Sequence, residues 1–212
     1  IIDKTYVINL DSRTDKLESI DKSLKKINLE YERFTACDGK KIEMYSNDIA
    51  KYFDKNNKLT PGQIGCALSH IKIWEKAIEN NYKYTLVLED DAIIPENFNN
   101  KLVDIFNDIP ENWHMILLGC FPYCNSKKIK GKKYINKIQG YGNDGTQAYL
   151  INISLIKKIM SNIIKLNHLN IPIDTWLQKF IYVNKNYNIY NSNELIIKQD
   201  RKRFKSDIWN PP

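Results

Sequence analysis

Residues Tyr84 to Ile94 have the sequence YTLVLEDDAII, an apolar run that ends abruptly in three consecutive acids, Glu89, Asp90 and Asp91. The apolar residues lack helical spacing, which is typical of a strand buried on both faces of a parallel sheet. Ligands bind at the carboxyl edge of such sheets, so we expect the three acids to point into a binding crevice. A solvated acidic turn before Pro95 is the alternative interpretation.

The three acids also form a concentrated negative charge. No Lys or Arg lies between Lys83 and Lys101 to neutralise them, and adjacent carboxylates repel one another. Alternation along a strand places Glu89 and Asp91 on one side and Asp90 on the other. A hard divalent cation such as Mn²⁺ or Mg²⁺ prefers carboxylate and phosphate oxygens and would relieve this repulsion. The pattern therefore favours a metal or ligand site over an ordinary turn only when further residues support it.

Composition narrows the class of protein. The chain has 212 residues, of which 42% are hydrophobic and 27% charged, as in soluble globular domains. We expect no transmembrane segment, because no apolar run approaches the ~20 residues that cross a bilayer. The first residues contain no secretory n-region or h-region, and a signal removed before residue 1 stays open. The net charge of +7 favours an anionic partner, which could be a nucleic acid, a membrane surface or a phosphorylated small molecule.

The cysteine pattern predicts the redox state. Cys37, Cys66, Cys120 and Cys124 form no CxxC pair, so reduced thiols in a cytosol-like compartment are expected. The spacing of Cys120 and Cys124 lacks further clustered zinc ligands, and both are interpreted as unpaired loop thiols. We expect a cytoplasmic protein, and association with a membrane surface, a larger parent protein and a host lumen stay open.

The order of elements predicts an α/β fold. A strand over residues 5–10, a helix and a strand over residues 31–36 form a unit with a parallel, right-handed crossover. Asn9 and Arg13 then lie at the carboxyl end of the first strand, and Asp38 lies at the end of the second. These two strand ends are where a nucleotide would bind.

Capping patterns predict the starts of the helices. Thr60, Pro61 and Gln63 form a capping box for a helix that carries Ser69 and His70 near its middle. A lone helical histidine is usually structural. The other predicted caps are Ser12, Ser154 and Asp174.

The second half of the chain alternates strands and helices in the same way. Predicted elements are a helix over residues 98–106, buried strands over 115–118 and 145–151, and edge strands in the Tyr- and Asn-rich tail. Residues 121–142 are polar and rich in turn formers, which indicates a long functional or mobile loop. No linker or repeat divides the chain, so one domain over residues 1–212 is expected. Trp74, Trp113 and Trp176 are predicted to be core residues, and Trp209 to be exposed.

Six motifs together resemble glycosyltransferase family 25, which contains lipooligosaccharide galactosyltransferases and collagen-modifying galactosyltransferases. They are YVINLDSRTDK at residues 6–16, FTACDGK at 34–40, LTPGQIGCALSHIKIW at 59–74, YTLVLEDDA at 84–92, GTQAYLI at 145–151 and PID at 172–174. The resemblance implies a GT-A type fold, a nucleotide-binding αβα sandwich with a central mostly parallel sheet. The donor-binding half would cover about residues 1–120 and the acceptor-side half about 121–212.

The resemblance also implies a reaction. Inverting transfer of a hexose, often galactose, from a UDP-sugar is expected, with Mn²⁺ or Mg²⁺ between the protein and the donor diphosphate. The partners implied are a UDP-sugar, with UDP-galactose first, and a glycan, lipooligosaccharide or protein acceptor.

The matched motifs imply roles for individual residues. Asp91 is expected to bind the metal, Glu89 to join or orient it, and Asp90 to contact the ribose or the metal shell. Asp174 is the first candidate for the catalytic base, and a simple helix cap is the alternative. The donor-binding residues implied are Asn9, Leu10, Arg13, Asp38, Ser69, His70, Glu89, Asp90, Gln147, Gln199 and Arg201.

Some of these assignments have a stated chemical role. Arg13 would pair its guanidinium with phosphate oxygens. His70 would hydrogen-bond or support charge at the diphosphate, and Gln199 and Arg201 would close over it from the tail. Gln147 stands where family members often have His, which puts a titrating role at that position in doubt.

Two other function classes stay open. A non-catalytic binding module could keep the fold and lose turnover. A nucleic-acid-binding domain would need a clustered basic face with interleaved aromatic residues, and only the end of the chain, around Lys198 to Lys205, offers one. We therefore expect no nucleic-acid partner.

Overall fold

The computed structural model describes residues 2–120 and 123–208. The strands are β1 Lys4–Asn9, β2 Glu32–Thr35, β3 Tyr84–Glu89, β4 Ala92–Ile93, β5 Met115–Leu117, β6 Ser126–Lys128, β7 Ile135–Ile138, β8 Ala148–Asn152, β9 Ile189–Ser192 and β10 Lys198–Gln199. The α-helices are α1 Thr14–Lys26, α2 Ser46–Tyr52, α3 Pro61–Glu79, α4 Phe98–Asp108, α5 Ile153–Lys165 and α6 Ile173–Leu177. A 3-10 segment covers Gly39–Tyr45, and a π-helical segment covers Gln178–Tyr182.

Eight strands form one central sheet in the order β2-β1-β3-β8-β5-β9-β7-β6, and β10 pairs with β4 beside it. Six of the eight run in one direction, while β8 and β7 run against them. The predicted α/β class with a mostly parallel sheet is confirmed.

Helices cover both faces of this sheet. One core cluster joins α3, α5 and α6 to one face, and a second joins α1 and α4 to the other. Strand β3 shows how the layers meet, since Val87 faces the first cluster while Leu86 and Leu88 face the second. All three side chains are fully buried, so the prediction of a strand buried on both faces is confirmed.

The capping predictions are confirmed at one helix and wrong at three. Thr60 and Gln63 form the predicted capping box of α3. Arg13 occupies the N-cap of α1 without a side-chain cap, so Ser12 does not cap that helix. At α5 the Asn152 side chain accepts from the Leu155 N–H at 2.9 Å and replaces Ser154, and at α6 the N-cap is Pro172, with Asp174 inside the first turn. Short polar residues two positions apart carry the same local signal, and packing selects between them.

The segment predicted as a long loop contains a hairpin and a disulfide. Strands β6 and β7 pair antiparallel with each other. Cys120 and Cys124 form a disulfide with their Cα atoms 5.2 Å apart, so the prediction that they are unpaired thiols is wrong. Cys37 and Cys66 are free thiols, as predicted.

The tail differs from the predicted edge position. Strand β9 lies between β5 and β7, and its four residues are all buried. The β6–β7 hairpin forms the edge instead, because β7 pairs along the outer side of β9. The tail therefore completes the centre of the sheet.

The remaining predictions concern membranes and tryptophans. Within residues 2–120 and 123–208, no helix combines the length and apolarity that a bilayer crossing requires. Trp74, Trp113 and Trp176 are at most 5% exposed, which confirms them as core residues. The prediction for Trp209 lies outside the described residues.

Candidate active site

The three acids lie where β3 ends at the carboxyl edge of the sheet. Glu89 is the last residue of β3, and Asp90 and Asp91 form the turn into β4. Their side chains are only 18%, 11% and 12% exposed in that order. The alternative of a solvated acidic turn is therefore wrong.

Glu89 is held from behind by two side chains. Its Oε1 accepts a hydrogen bond from Thr146 Oγ1 at 2.7 Å and lies 3.5 Å from His70 Nε2. Burial acts to raise the pKa of Glu89, but the contacts with His70 and Thr146 and the charge of Lys16 together outweigh it, and the pKa is lowered. His70 is 1% exposed, and its Nδ1 lies 2.9 Å from the Tyr149 hydroxyl. The structure thus places His70 beneath Glu89, where it supports that carboxylate.

Asp90 and Asp91 differ in how well they are compensated. Asp90 accepts from Asn9 Nδ2 at 2.8 Å and lies 3.3 Å from Lys16 Nζ, although burial still raises its pKa. Asp91 Oδ1 is buried, and no described residue donates a hydrogen bond to it. Burial and then the charge of Glu89 raise the pKa of Asp91 to about 7. Asp91 is therefore the acid that most needs a cation.

Lys16 is a site residue that sequence reasoning missed. It projects from α1, is 3% exposed, and lies within 4.0 Å of both Asp90 and Asp91. Burial acts to lower the pKa of Lys16, but the hydrogen bond to Asp207 and the nearby acids raise it above its usual value. Lys16 follows Arg13 by three residues, a helical spacing that could have placed both on one face.

Arg13 stands beside Lys16 and binds carboxylates on two sides. Its Nη1 donates to both oxygens of Asp207 at 2.5 and 2.7 Å, while Nε and Nη2 each donate to Asp15 at 2.9 Å. The hydrogen bonds that Arg13 donates to Asp15 and Asp207, with the charges of these acids, outweigh burial and raise the pKa of Arg13. Arg13 and Lys16 together form a cationic pair next to the acids.

Asn9 and Leu10 shape the turn that carries these cations. Asn9 is 1% exposed, and its Nδ2 donates to Arg13 O at 2.9 Å as well as to Asp90. Its Oδ1 accepts from Arg33 Nε at 2.9 Å. The half-buried Leu10 contributes its carbonyl, which accepts from Arg13 N–H at 2.9 Å. The INL motif thus fixes Arg13 at the end of β1, as the sequence predicts.

Asp38 and Ser69 belong to the neighbouring strand end. Asp38 accepts from the Lys40 N–H at 2.9 Å and caps the 3-10 segment after β2. Ser69 Oγ accepts from the Cys37 N–H at 2.9 Å and donates to Gly65 O at 2.7 Å. The buried Ser69 therefore ties the loop that carries Asp38 to helix α3.

Asp174 is linked to Glu89 through one short loop. The Gly145 N–H donates to Asp174 Oδ2 at 3.2 Å, and the next residue, Thr146, donates to Glu89. Gln147, the residue after that, is 1% exposed, and its Oε1 has no hydrogen-bond partner among the described residues. The candidate base and the acidic cluster therefore flank the same loop.

Gln199 and Arg201 approach the acids from the tail. The Asp200 N–H donates to Asp91 O at 2.8 Å, which holds the end of β10 against the acidic turn. Arg201 Nε and Nη2 donate to Gln199 Oε1 at 3.0 and 2.8 Å. The positive charge of Arg201 acts to lower the pKa of Asp91, so the tail lies close enough to affect it.

Two groups of side chains offer ligands for a cation. Asp91, with its unpartnered buried oxygen, lies next to Glu89 and Asp90, and these carboxylates offer oxygen ligands alone, which suits Mn²⁺ or Mg²⁺. Cys66, His70 and Glu89 place their ligand atoms within 4.8 Å of one another, a softer set. Burial and the charges of Glu89 and Asp174 raise the pKa of Cys66 well above its usual value, which keeps that thiol protonated. The oxygen ligands are thus the better fit for the expected ion.

Comparison with known proteins shows the family of the chain. The sequence profile described as glycosyltransferase family 25 (LPS biosynthesis protein) matches residues 2–177. The chain belongs to glycosyltransferase family 25. The match includes every predicted site residue except Gln199 and Arg201.

Individual relatives cover different shares of this family 25 chain. Procollagen galactosyltransferase 2 of Mus musculus is 32% identical over 130 residues, which are 55% of this chain and 20% of that protein. Lipooligosaccharide biosynthesis protein lic2B of Haemophilus influenzae is 29% identical over 178 residues, which are 77% of this chain and 65% of that protein. The chain spans only 18% to 28% of the length of the animal relatives it matches.

A solved structure shares the fold. The crystal structure of A197 from STIV superimposes with a TM-score of 0.51 and 16% identity, covering 92% of this chain and 82% of that chain. At this identity the likeness shows the fold alone.

Proposed function

We propose that this family 25 chain is a metal-dependent inverting glycosyltransferase. It moves a hexose, with galactose as first choice, from a UDP-sugar to a hydroxyl of a glycan or hydroxylysine-type acceptor. The observation that carries the proposal is the buried, unpartnered Oδ1 of Asp91 in the turn after β3, with Lys16 Nζ 4.0 Å from the other oxygen of this carboxylate and Asp207 joining Lys16 to Arg13. The names of the relatives support galactose and both acceptor classes.

The donor end of the reaction needs positive charge. Asp91 and Glu89 would hold the metal, with Asp90 in its outer shell. When bound, the divalent cation supplies charge that stabilises the departing diphosphate. Arg13 donates to phosphate oxygens in its fork geometry, and Lys16 adds a second, point-like charge on the same side.

The acceptor end needs a base. Asp174 takes the proton from the acceptor hydroxyl while that oxygen bonds to the anomeric carbon and the carbon–phosphate oxygen bond breaks on the opposite face. Inversion follows from this opposed geometry. The Gly145 and Thr175 N–H groups hold the Asp174 carboxylate, and the same loop holds Glu89 through Thr146.

A thermal-shift panel tests the donor site. UDP-, GDP- and CMP-sugars are each added with and without Mn²⁺, because a ligand that binds only the folded state raises Tm. We expect a Mn²⁺-dependent shift with one UDP-sugar, and that donor is then tested for transfer, with the anomeric configuration of the product read by NMR.

Each other outcome points to a different class of protein. A shift without transfer or donor hydrolysis would identify a non-catalytic binding module. The absence of any shift and of any transfer would overturn the proposal, and retention of configuration would overturn the role of Asp174 as a base for direct inversion.

A further inference from the structure

The cationic pair is already bound by a carboxylate from the end of the chain. Asp207 Oδ2 lies 2.6 Å from Lys16 Nζ and 2.7 Å from Arg13 Nη1, and Oδ1 lies 2.5 Å from the same Nη1. A carboxylate that bridges an ammonium and a guanidinium makes the kind of charge-assisted contact that phosphate oxygens make with these groups.

Asp207 is the inner of two carboxylates on Arg13. The side chains of Lys16, Arg13 and Asp207 are 4%, 19% and 25% exposed in that order. Asp15, on the outer side of Arg13, is 53% exposed. Asp207 alone of the two also contacts the Lys16 ammonium, at 2.6 Å. Asp207 is therefore the less exposed of the two carboxylates and the one that bridges both cations.

The segment that carries Asp207 crosses the carboxyl edge of the sheet. It starts at β10, beside β4, where Asp200 N–H binds Asp91 O. The Phe204 ring then covers the cations, with its centroid 5.8 Å from Arg13 Cζ and 6.0 Å from Lys16 Nζ. Beyond Asp207 the chain touches the start of α3, where a Cβ on Gly62 would lie 2.9 Å from Ile208 O. We call residues 200–208 the strap.

We propose that Arg13 and Lys16 form an anion site whose internal ligand is Asp207, and that the diphosphate of a nucleotide-linked donor displaces this carboxylate. The inference rests on the proposed function only in naming a donor diphosphate as the anion. Asp207 engages Arg13 Nη1 with both of its oxygens and Lys16 Nζ with one of them, so a diphosphate at the same nitrogens would meet the negative charge of this carboxylate at short range. Donor binding and docking of the strap at these nitrogens therefore exclude each other.

Isothermal titration of Asp207→Asn tests the competition directly. The probes are inorganic pyrophosphate and UDP, each with and without Mn²⁺. We expect the Kd of the variant to fall about tenfold, because the charged competitor is lost while the amide keeps the size of the side chain. Asp15→Asn is the matched control, since it removes the same charge from the outer side of Arg13, and its Kd should change by no more than about twofold.

The binding results separate the possible outcomes. Binding to Asp207→Asn that is equal to or weaker than binding to Asp15→Asn would overturn the inference. The absence of both pyrophosphate and UDP binding to the wild type, Asp207→Asn and Asp15→Asn would also overturn it. Lys16→Met should lose most pyrophosphate binding, both in the wild type and in combination with Asp207→Asn. Pyrophosphate binding that Lys16→Met leaves unchanged would also overturn the inference.

Limited trypsin digestion tests displacement of the strap by another route. Lys202, Arg203 and Lys205 are exposed cleavage sites within it. Pyrophosphate should speed cleavage at these sites in the wild type, and unchanged or slower cleavage would contradict the inference.

Competition by pyrophosphate without any sugar transfer would leave the inference standing and overturn the proposed function. Sugar transfer by the wild type, together with a pyrophosphate Kd that Asp207→Asn leaves unaltered, would support the proposed function and overturn the inference.

Discussion

At the scale of single residues, Asp91 has the least compensated charge of the acidic cluster. Glu89 contacts His70 and Thr146. Asp90 accepts a hydrogen bond from Asn9 and lies 3.3 Å from Lys16 Nζ, whereas Asp91 lies 4.0 Å from the same nitrogen. Burial and repulsion by Glu89 raise the pKa of Asp91 to about 7. A bound cation would remove this unfavourable energy, so metal binding and local stability are coupled at this residue.

Asp91→Asn should abolish Mn²⁺-dependent transfer and leave the fold intact. The change removes a charge from a site where carboxylates repel, so Tm without metal should not fall, and the Tm increase on adding Mn²⁺ should disappear. Thermal shift and transfer assays measure both effects. Asp104→Asn on α4 is the control of equal charge, and unchanged turnover in Asp91→Asn would rule out the metal assignment.

Asp174→Asn should lower kcat at least about 100-fold while the KM for the donor changes little, because general-base catalysis contributes about 10²–10⁴. Steady-state kinetics, with the donor identified in the thermal-shift panel, measures kcat and the donor KM separately. Asp144→Asn, an exposed acid that accepts from Gln178 Nε2 in the adjoining loop, is the control. A large increase in donor KM with unchanged kcat would make Asp174 a donor contact instead.

At the scale of elements, helix α3 positions the loop after β2 through an unusually close approach. A Cβ on Gly65 would lie 2.3 Å from Cys37 O, and Ser69 binds the Cys37 N–H from one turn later. The glycine and the serine therefore act together to hold the loop that carries Asp38 against helix α3. This contact explains the GCALSH motif without requiring Ser69 to touch the donor.

Gly65→Ala should lower the free energy of unfolding by about 1–3 kcal/mol, because the added methyl group forces the helix and the loop apart. Urea denaturation measures the change. Gly131→Ala is the control, since Gly131 has a φ of +81° but no neighbouring atom within 4 Å of the added Cβ. Its cost should stay near the ~1 kcal/mol of a residue placed in the left-handed region. Equal costs at both positions would contradict the close-packing explanation.

At the scale of the whole molecule, strand β9 from the tail lies inside the sheet between β5 and β7, and His114 lies next to the start of β5, where the two strands meet. The Asn188 N–H donates to His114 Nδ1 at 3.0 Å where β5 meets the segment that leads into β9. Burial, followed by the charges of Lys158 and Lys137, lowers the pKa of His114. The folded state therefore favours the neutral ring that can accept this hydrogen bond.

The stability that neutral His114 contributes should be lost as the pH drops below about 6.5, the ordinary histidine value, while protonation of Asp91, whose pKa is raised to about 7, acts in the opposite direction. A lowered folded-state pKa means that the unfolded chain binds the proton first, so this contribution is present above the unfolded pKa and is lost as pH falls through the folded pKa. In urea denaturation, the free energy of unfolding of the wild type relative to that of His114→Gln should fall between pH 7.5 and pH 5.5. An identical pH dependence in the two proteins would exclude His114 as the cause.

The local patterns of the sequence determined the class of fold and the position of the acidic cluster. Strand β3 and its three acids, the Asn9–Arg13 turn and the capping box at Thr60 depend on neighbours within a few residues, and the structure confirms each placement. Parallel strands end at one edge, so their carboxyl ends could be predicted to meet without knowing the packing. The roles of these residues in binding and catalysis stay predictions.

Only the tertiary structure decided which distant side chains meet at that edge. Lys16 reaches Asp90 from α1, and Asp207 reaches Lys16 from the far end of the chain. Strand β9 lies inside the sheet, and Cys120 bonds to Cys124. Each of these features depends on the path of the whole chain, because an ion pair, an interior strand position or a disulfide requires partners that packing brings together. Periodicity describes one segment at a time and contains no information about which segments become neighbours.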